Sequence, residues 1–208
     1  ELDLRESGFN NAENIKSLTN LKRLNLSKNY LVNFSALQGL KAIENLDLSE
    51  TNIRDLAPLS SLTELEILDI TKTSVSDLTP ISGLSKLKKV SADQTQITPL
   101  VADNFVRNHP SILLIHHVKD LESWWEGLSD AWKAAVKKNN PVITSSQPSI
   151  ELLTQAVMVS EINLENTGIE SLNPITRFVN LRSINFSGNN LIDDLLPLSE
   201  LKMLKRIL

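Results

Sequence analysis

Pairs of apolar residues separated by one position recur along the chain at a regular spacing. In the first part each pair lies 22 residues after the previous one, and the alternation predicts one short strand per unit. A fixed period of this length predicts a solenoid of stacked units. The first six pairs are Leu2 and Leu4, Leu24 and Leu26, Leu46 and Leu48, Leu68 and Ile70, Val90 and Ala92, and Ile112 and Leu114. After an interruption the pairs are Ile162 and Leu164, Ile184 and Phe186, and, one residue later than the period, a pair starting at Ile207.

The remainder of each unit also repeats. A polar turn follows each predicted strand, and apolar residues then recur every three positions, as at Ile53, Leu56, Leu59, Leu62 and Leu65. Stacking would join these apolar residues into one core and the strands into a parallel sheet. The return segments contain Pro58, Pro80, Pro174 and Pro197. Because proline lacks an N–H, we expect these segments to be 3₁₀ or extended rather than long α-helices.

The unit IENLDLSETNIRDLAPLSSLTE resembles the leucine-rich repeat family, and specifically its 22-residue internalin-type subclass with the consensus LxxLxLxxTxIxDLxPLxxLxx. The resemblance covers residues 1–117 and 158–208. It implies an α/β solenoid with a parallel sheet on the concave face and a 3₁₀ or extended convex side. It further implies a bacterial protein that binds other proteins, with a secreted or cell-surface location left open.

One column of polar residues interrupts the apolar pattern where the chain turns inward. We expect these side chains to bond buried backbone groups of the adjacent unit rather than a ligand. The column contains Asn29, Thr51, Thr73, Thr95, Thr167 and Asn189.

Helical spacing replaces the repeat between the two arrays. The residues Leu121, Trp125, Leu128, Trp132 and Val136 form one stripe, which predicts amphipathic helix. A break at Ser129 and a further start after Pro148 predict additional helices, the last over 149–157. The predicted organisation is therefore a first array over 1–118, a helical block over 119–157 and the start of a second array over 158–208.

The segment WWxxLSxxWK, from Trp124 to Lys133, is similar to the helical cap that precedes the repeats in some bacterial leucine-rich repeat proteins. Trp124 lies one step off the apolar stripe. It is either an aromatic anchor for a partner or a residue that packs against the end of the first array near 112–115, and we favour packing.

Both chain ends fall inside repeats. We therefore expect a segment of a longer protein, or ends covered by another molecule. Strand edges pair readily with other chains. One prediction is a head-to-tail contact between the strand near Ile207 of one chain and Leu2 to Leu4 of the next.

Composition and motifs argue against several function classes. The chain has 21 basic and 25 acidic residues, no basic stripe for nucleic acid, no cysteine and no apolar run of membrane-spanning length. The common catalytic and phosphate-binding motifs are absent, so we expect no enzyme activity and no cofactor. We also expect no metal site, because adjacent His116 and His117 on or just after a strand should point to opposite faces.

The outward strand positions form the predicted binding face. The first column is Arg23, Asn45, Ile67 and Lys89, the second is Asn25, Asp47, Asp69 and Ser91, and the third is Ser27, Ser49, Thr71 and Asp93. Tyr30 on the rim is the best exposed aromatic candidate. The candidate partner-binding residues are Arg23, Asn25, Tyr30, Asp47, Ile67, Asp69, Lys89 and Trp124.

Three functions stay open at this point. The leading one is a non-enzymatic protein-interaction module that uses the concave face, and the alternative is a structural segment that stacks head to tail. A weaker option is carbohydrate or peptide binding on the acidic strip. Asp47 and Asp69 could also form an acid–base or cation site, but a solvated acidic stripe is the better interpretation.

Overall fold

The computed structural model describes residues 1–208, which form two compact units, 1–117 and 118–208. The first unit contains a six-stranded parallel sheet in sequential order. Leu24 pairs with Leu46 and Leu46 with Leu68, which confirms the 22-residue step. The strands are β1 (Leu2–Asp3), β2 (Arg23–Asn25), β3 (Asn45–Asp47), β4 (Ile67–Asp69), β5 (Lys89–Ser91) and β6 (Leu113–Ile115).

The core of the first unit lies behind this sheet. Leu48, Ile53, Leu59 and Leu65 of one repeat have no exposed surface. Four such side chains in a single 22-residue unit can be buried only by the neighbouring units, because no repeat encloses its own leucines. The stacked core therefore depends on adjacent repeats being present on both sides.

Most return segments are short 3₁₀ turns, as the prolines predict. Those of the first unit are Ala12–Ile15, Ser35–Gly39, Ala57–Leu59 and Thr79–Ile81. The fifth return segment differs, because it is a ten-residue α-helix, α1 (Pro99–Asn108). Thr98 caps this helix by accepting a hydrogen bond from the Val101 N–H, and proline occupies its first position, where no N–H is needed.

This helix shifts the register of the last strand. Val90 pairs with Leu114, which lies 24 residues later, so the predicted equivalence of Val90 with Ile112 is wrong by two residues. Because the shift is an even number, the inward and outward faces are still assigned correctly. Ile112 is buried but precedes β6.

The column of polar turn residues is structural. Thr51 and Thr73 each donate a hydroxyl hydrogen bond to a carbonyl three residues earlier in their own turn, on Leu48 and Ile70. Only asparagine is long enough to reach the preceding unit as expected. Asn29 Nδ2 donates to the Leu4 carbonyl at 2.7 Å, and Asn189 Nδ2 donates to the Leu164 carbonyl at 2.8 Å.

The second unit begins with three α-helices, which confirms the helical interpretation of the interruption. They are α2 (Val118–Gly127), α3 (Asp130–Asn139) and α4 (Ile150–Val157). A three-stranded parallel sheet follows, with β7 (Glu161–Asn163), β8 (Ser183–Asn185) and β9 (Arg206–Ile207), and 3₁₀ turns at Asn173–Arg177 and Leu196–Glu200. None of the four α-helices combines the length and apolar character that a bilayer crossing requires.

Tryptophans join the helical block to the second array. Trp125 and Trp132 are buried, and Trp132 Nε1 donates to the Ser171 carbonyl at 2.8 Å. Trp124 is half-buried, with Nε1 donating to the Pro174 carbonyl and its ring edge-to-face with Phe178. The expected neighbours of Trp124 were residues 112–115, so the structure assigns this side chain to a different surface, on the second array.

Helix α3 also covers the outer edge of the second sheet. The Asn139 side chain donates from Nδ2 to the Asn163 carbonyl at 2.8 Å and accepts from the Asn163 N–H at 2.9 Å. These are the two bonds that a neighbouring strand would make to Asn163. The Asn139 amide therefore takes the place of a strand at this residue of the sheet edge.

Candidate functional site

The outward face of the first sheet brings together six of the eight predicted partner-binding residues. Sheet register aligns Arg23, Asn45, Ile67 and Lys89 in the first column and Asn25, Asp47, Asp69 and Ser91 in the second. Tyr30 lies on the turn after β2 in the same unit. Trp124 belongs to the second unit, where its ring contacts Phe178.

Side chains of the second column use some of their acceptor atoms in hydrogen bonds within the protein. Asp47 Oδ1 accepts hydrogen bonds from the Ser49 N–H at 2.9 Å and from the Ser49 hydroxyl at 2.7 Å. Asn25 makes the same pair of bonds with Ser27. These side chains end their strands by bonding the backbone two residues later.

The third predicted column is therefore not a free binding surface. The strands stop at Asn25, Asp47, Asp69 and Ser91, before that column begins. Ser27 is buried, and its hydroxyl is donated to Asn25. The outward alternation that predicted this column ends with the strand, because the turn that follows is not extended.

Asp69 is the electrostatically unusual acid of the face. Burial raises the pKa of its carboxyl, and the neighbouring Asp47 charge adds to this increase. Hydrogen bonds from Thr71 and the positive charge of Lys89 lower the pKa in part. The Asp69 carboxylate is therefore incompletely compensated within the protein, and a cation from a partner would favour its ionised form.

Charges at the carboxyl-end rim of the sheet are paired between repeats. Glu6 pairs with Lys28 at 3.6 Å, and Glu50 pairs with Lys72 at 3.4 Å. All four residues have a positive φ of 50–56°, which non-glycine residues rarely adopt. We call these four residues the left-handed rim.

The opposite rim, at the amino ends of the strands, also carries ion pairs between repeats. These pairs lie at the boundaries where the left-handed rim has none. Lys22 Nζ lies 2.6 Å from Glu44 Oε1, and Lys88 Nζ lies 2.7 Å from Glu66 Oε2. The first four boundaries therefore each carry an ion pair, alternately on one rim and the other. The 22-residue spacing of these charges was visible in the sequence, but their pairing was not predicted.

Arg23 differs from these rim charges. It is exposed on β2 and forms neither an ion pair nor a side-chain hydrogen bond. Ile67, in the same column, is 39% exposed although it lies in the middle of a sheet. A depression of about 340 Å³ lies on this face, lined by Arg23, Asn45, Asp47, Ile67 and Asp69 among others. The positive charge of Arg23 acts on Glu44, which is bonded to Lys22, but Arg23 itself has no direct partner. A cation without an ion pair and an exposed apolar residue thus share one shallow concavity.

Tyr30 lines a second depression beside the left-handed rim. Its side chain is 76% exposed, and Lys28, Glu50 and Asn52 line the same depression, of about 590 Å³. Neighbouring Asn29 is buried, and its Oδ1 has no hydrogen-bond partner. Tyr30 is therefore available to a partner at the border of the face.

The histidines do not follow the sequence prediction. His116 and His117 were expected to point to opposite faces, but their Nδ1 atoms lie 2.7 Å apart. The cause is the positive φ of 45° at His117, which turns the chain directly after β6. No group of three or more metal-ligating side chains is present in the chain.

The strand edges named in the head-to-tail prediction differ in exposure. Ile207 of β9 is 54% exposed, whereas Leu2 of β1 is half-buried. Pairing of these edges between chains stays a prediction.

Several solved structures are similar to this chain in fold. No family model matches the chain, and no curated protein matches it. An internalin, InlF, from Listeria monocytogenes superposes with a TM-score of 0.51 at 20% identity, covering 96% of this chain and 51% of that one. The chain thus spans about half the length of that internalin. Internalin C2 of the same species gives a TM-score of 0.46 at 20% identity, over 100% of this chain and 79% of that one. A leucine-rich repeat protein of Leptospira interrogans gives 0.45 at 21% identity, over 49% and 27%.

The fold defines the class of protein. Parallel strands, 3₁₀ return segments and a stacked leucine core make the chain a leucine-rich repeat solenoid of the α/β type. The internalin superposition, at its low identity, supports this fold.

Proposed function

We propose that the protein is a non-enzymatic interaction module that binds a protein partner on the concave face of its first array. The observation that carries the proposal is the state of Arg23. Every other charged position of the rims described above is neutralised by a neighbour, whereas this guanidinium is exposed and unpaired on the sheet floor. Arginine is one of the residues that most often contribute strongly to binding at protein interfaces.

The chemistry of the face indicates what the partner presents. Asp47 and Asp69 favour a lysine or arginine, and Ile67 favours an apolar side chain beside it. Arg23 favours a carboxylate or carbonyl group about two strand spacings, ~10 Å, from the apolar contact. A partner segment with a basic residue, an apolar residue and an acceptor along one line meets these requirements.

The sheet contributes rigidity to this face. Its side chains project from strands in a fixed register, and Asp47 is held by two hydrogen bonds. A preorganised surface loses little conformational entropy on binding. A bacterial source and a secreted or cell-surface location stay predictions of the family resemblance.

The proposal can be tested with two matched pairs of variants. Arg23→Glu and Ile67→Ser alter the concave face. Arg54→Glu and Val32→Ser are their controls, because Arg54 is likewise exposed and unpaired and Val32 is 80% exposed, but both lie outside the sheet. A partner captured from the source cells is purified, and its affinity for each variant is measured by titration calorimetry.

Loss of at least about tenfold in affinity for the concave variants, with both controls unchanged, supports the proposal. The opposite pattern, in which the controls lose affinity and the concave variants do not, contradicts use of this face.

A further inference from the structure

The histidine pair at the end of the first unit is a second place where side chains converge. His116 and His117 follow β6 directly and are both half-buried, so solvent reaches them. On an extended chain adjacent side chains diverge. Here the left-handed conformation of His117 rotates the second imidazole onto the same side as the first, with ring centroids 4.9 Å apart.

We infer that His116 and His117 form a two-histidine chelate for a divalent metal ion that prefers tetragonal coordination, such as Cu²⁺. The pair follows β6, the last strand of the first sheet, and the inference does not rest on the proposed function. Imidazole nitrogen is a ligand through either ring position, and here both rings present Nδ1.

The distance between the two nitrogen atoms favours this class of metal. At a metal–nitrogen distance of about 2.0–2.1 Å, ligands at right angles lie roughly 2.8–3.0 Å apart, whereas tetrahedral ligands lie roughly 3.3 Å apart. The observed separation is 2.7 Å, close to the right-angle value. The pair therefore needs a rotation of each ring, but little separation, to hold a tetragonal ion.

Metal binding requires a change in which ring nitrogen carries the proton. The present contact is an N–H···N hydrogen bond, in which one Nδ1 donates and the other accepts. When the metal binds, both Nδ1 lone pairs must face it, so the donor ring carries its proton on Nε2 instead. Each imidazole then binds the ion through Nδ1 while its Nε2 carries a proton, and water completes the coordination. Among divalent ions, Cu²⁺ binds such nitrogen ligands most strongly.

The third histidine provides a matched control. His109 lies in the same unit but packs on Phe105, with ring centroids 4.8 Å apart, and is not part of the pair. A second control preserves the backbone. Because glycine adopts positive φ readily, His117→Gly removes the imidazole while keeping the turn that follows β6.

The experiment uses the full chain free of any histidine tag. Cu²⁺ is titrated near neutral pH, and binding is followed by electron paramagnetic resonance and calorimetry. We expect one tetragonal Cu²⁺ per chain with coupling to two nitrogen nuclei. His116→Ala and His117→Gly should each weaken binding by at least ~10-fold, because changes even in residues that only support metal ligands cost 10–100-fold. His109→Ala should bind as the unmodified chain does, and circular dichroism verifies that each variant is folded.

Other outcomes would overturn the inference. If the unmodified chain binds Cu²⁺ no better than folded His117→Gly, the pair is only a hydrogen bond that supports the turn. Equal loss of binding in His109→Ala, or coupling to a single nitrogen, would place the ion elsewhere.

Discussion

The two arrays begin in different environments, although their strands follow the same pattern. In the first array the inward pair of the first strand, Leu2 and Leu4, is only half-buried. In the second array the equivalent pair, Ile162 and Leu164, is 3% and 0% exposed. The helical block provides this difference, through Trp132 against the core and Asn139 against the edge of β7. Burial of the inward pair of a strand thus depends on what covers it rather than on its own sequence.

The outward faces also differ. The second column of the first sheet contains Asp47 and Asp69, whereas the equivalent positions of the second sheet are Asn163 and Asn185. Both residue types accept the same backbone hydrogen bond two residues later. The fold therefore requires only the oxygen acceptor, and the negative charge of the first face is free to serve recognition.

Removing a tryptophan tests whether the second array depends on its helical cover. Trp132→Ala should lower the free energy of unfolding of the second unit by about 3–5 kcal/mol, because a large buried ring and a hydrogen bond to Ser171 are lost. All three tryptophans lie in this unit, so the fluorescence of the remaining two reports its unfolding in urea. Val142→Ala, at a position of the same unit that is 68% exposed, should change stability by less than about 0.5 kcal/mol. A loss below ~1 kcal/mol for Trp132→Ala would contradict the dependence on this cover.

The two asparagines of the polar column sharpen the comparison. Asn189 Oδ1 accepts from the N–H groups of Gly168 and Ile169, whereas Asn29 Oδ1 has no partner. Asn189→Ala should therefore destabilise its unit more than Asn29→Ala does, by about 1–3 kcal/mol, because two inward-facing N–H groups lose their acceptor. Urea denaturation followed by circular dichroism measures both, and hydrogen exchange at Gly168 locates the effect. Equal losses of stability in the two variants would mean that the hydrogen bonds donated by Nδ2 account for the whole contribution of each asparagine.

Light scattering tests whether the exposed strand β9 supports association. A molar mass that increases with concentration is expected for the unmodified chain if β9 pairs with β1 of another copy. Ile207→Asp should then restore the monomer mass. Leu196→Asp is the control, since Leu196 is 73% exposed but lies in a return segment. A constant monomer mass over the whole series would remove support for head-to-tail stacking.

The smallest expected effect concerns pH. Because burial raises the pKa of Asp69, the folded state holds its proton more tightly than the unfolded state. The contribution of Asp69 to the free energy of unfolding is fully present below its pKa in the unfolded state. This contribution is lost as pH rises through its pKa in the folded state. Asp69→Asn should therefore leave stability almost unchanged in acid and increase it near neutral pH, as urea midpoints over a pH series would record. Asn25 shows that asparagine keeps the local hydrogen bonds. A variant that is less stable than the unmodified chain at neutral pH would contradict this sign.

The sequence predicts the repeat architecture well because its cause is periodic. Apolar pairs at 22-residue spacing determine strand positions, and the helical spacing of Leu121, Trp125 and Trp132 determines the block between the arrays. The fifth return segment departs from the 3₁₀ or extended form that the repeat predicts, and Thr98 followed by Pro99 is the local signal for its helix start.

The site is less predictable than the fold. The outward columns follow from alternation, but which charges are already neutralised depends on pairing between repeats. Lys22 is paired with Glu44 of the next repeat, whereas the adjacent Arg23 has no such partner. The meeting of His116 and His117 depends on one backbone angle that no spacing rule indicates. The neighbours of Trp124 depend on how α2 packs within its own unit.

The left-handed rim also constrains how the array can change its length. Its charges alternate along Glu6, Lys28, Glu50 and Lys72, so neighbours across each repeat boundary have opposite signs. Deleting the repeat that carries Lys28 or Glu50, or duplicating either one, would bring two glutamates or two lysines together on residues with a left-handed backbone. Each such contact costs a fraction of a kcal/mol, in addition to any ion pair that is lost with the deleted repeat. Gain or loss of repeats in twos preserves the alternation, and is therefore the route by which this array can lengthen or shorten with least cost.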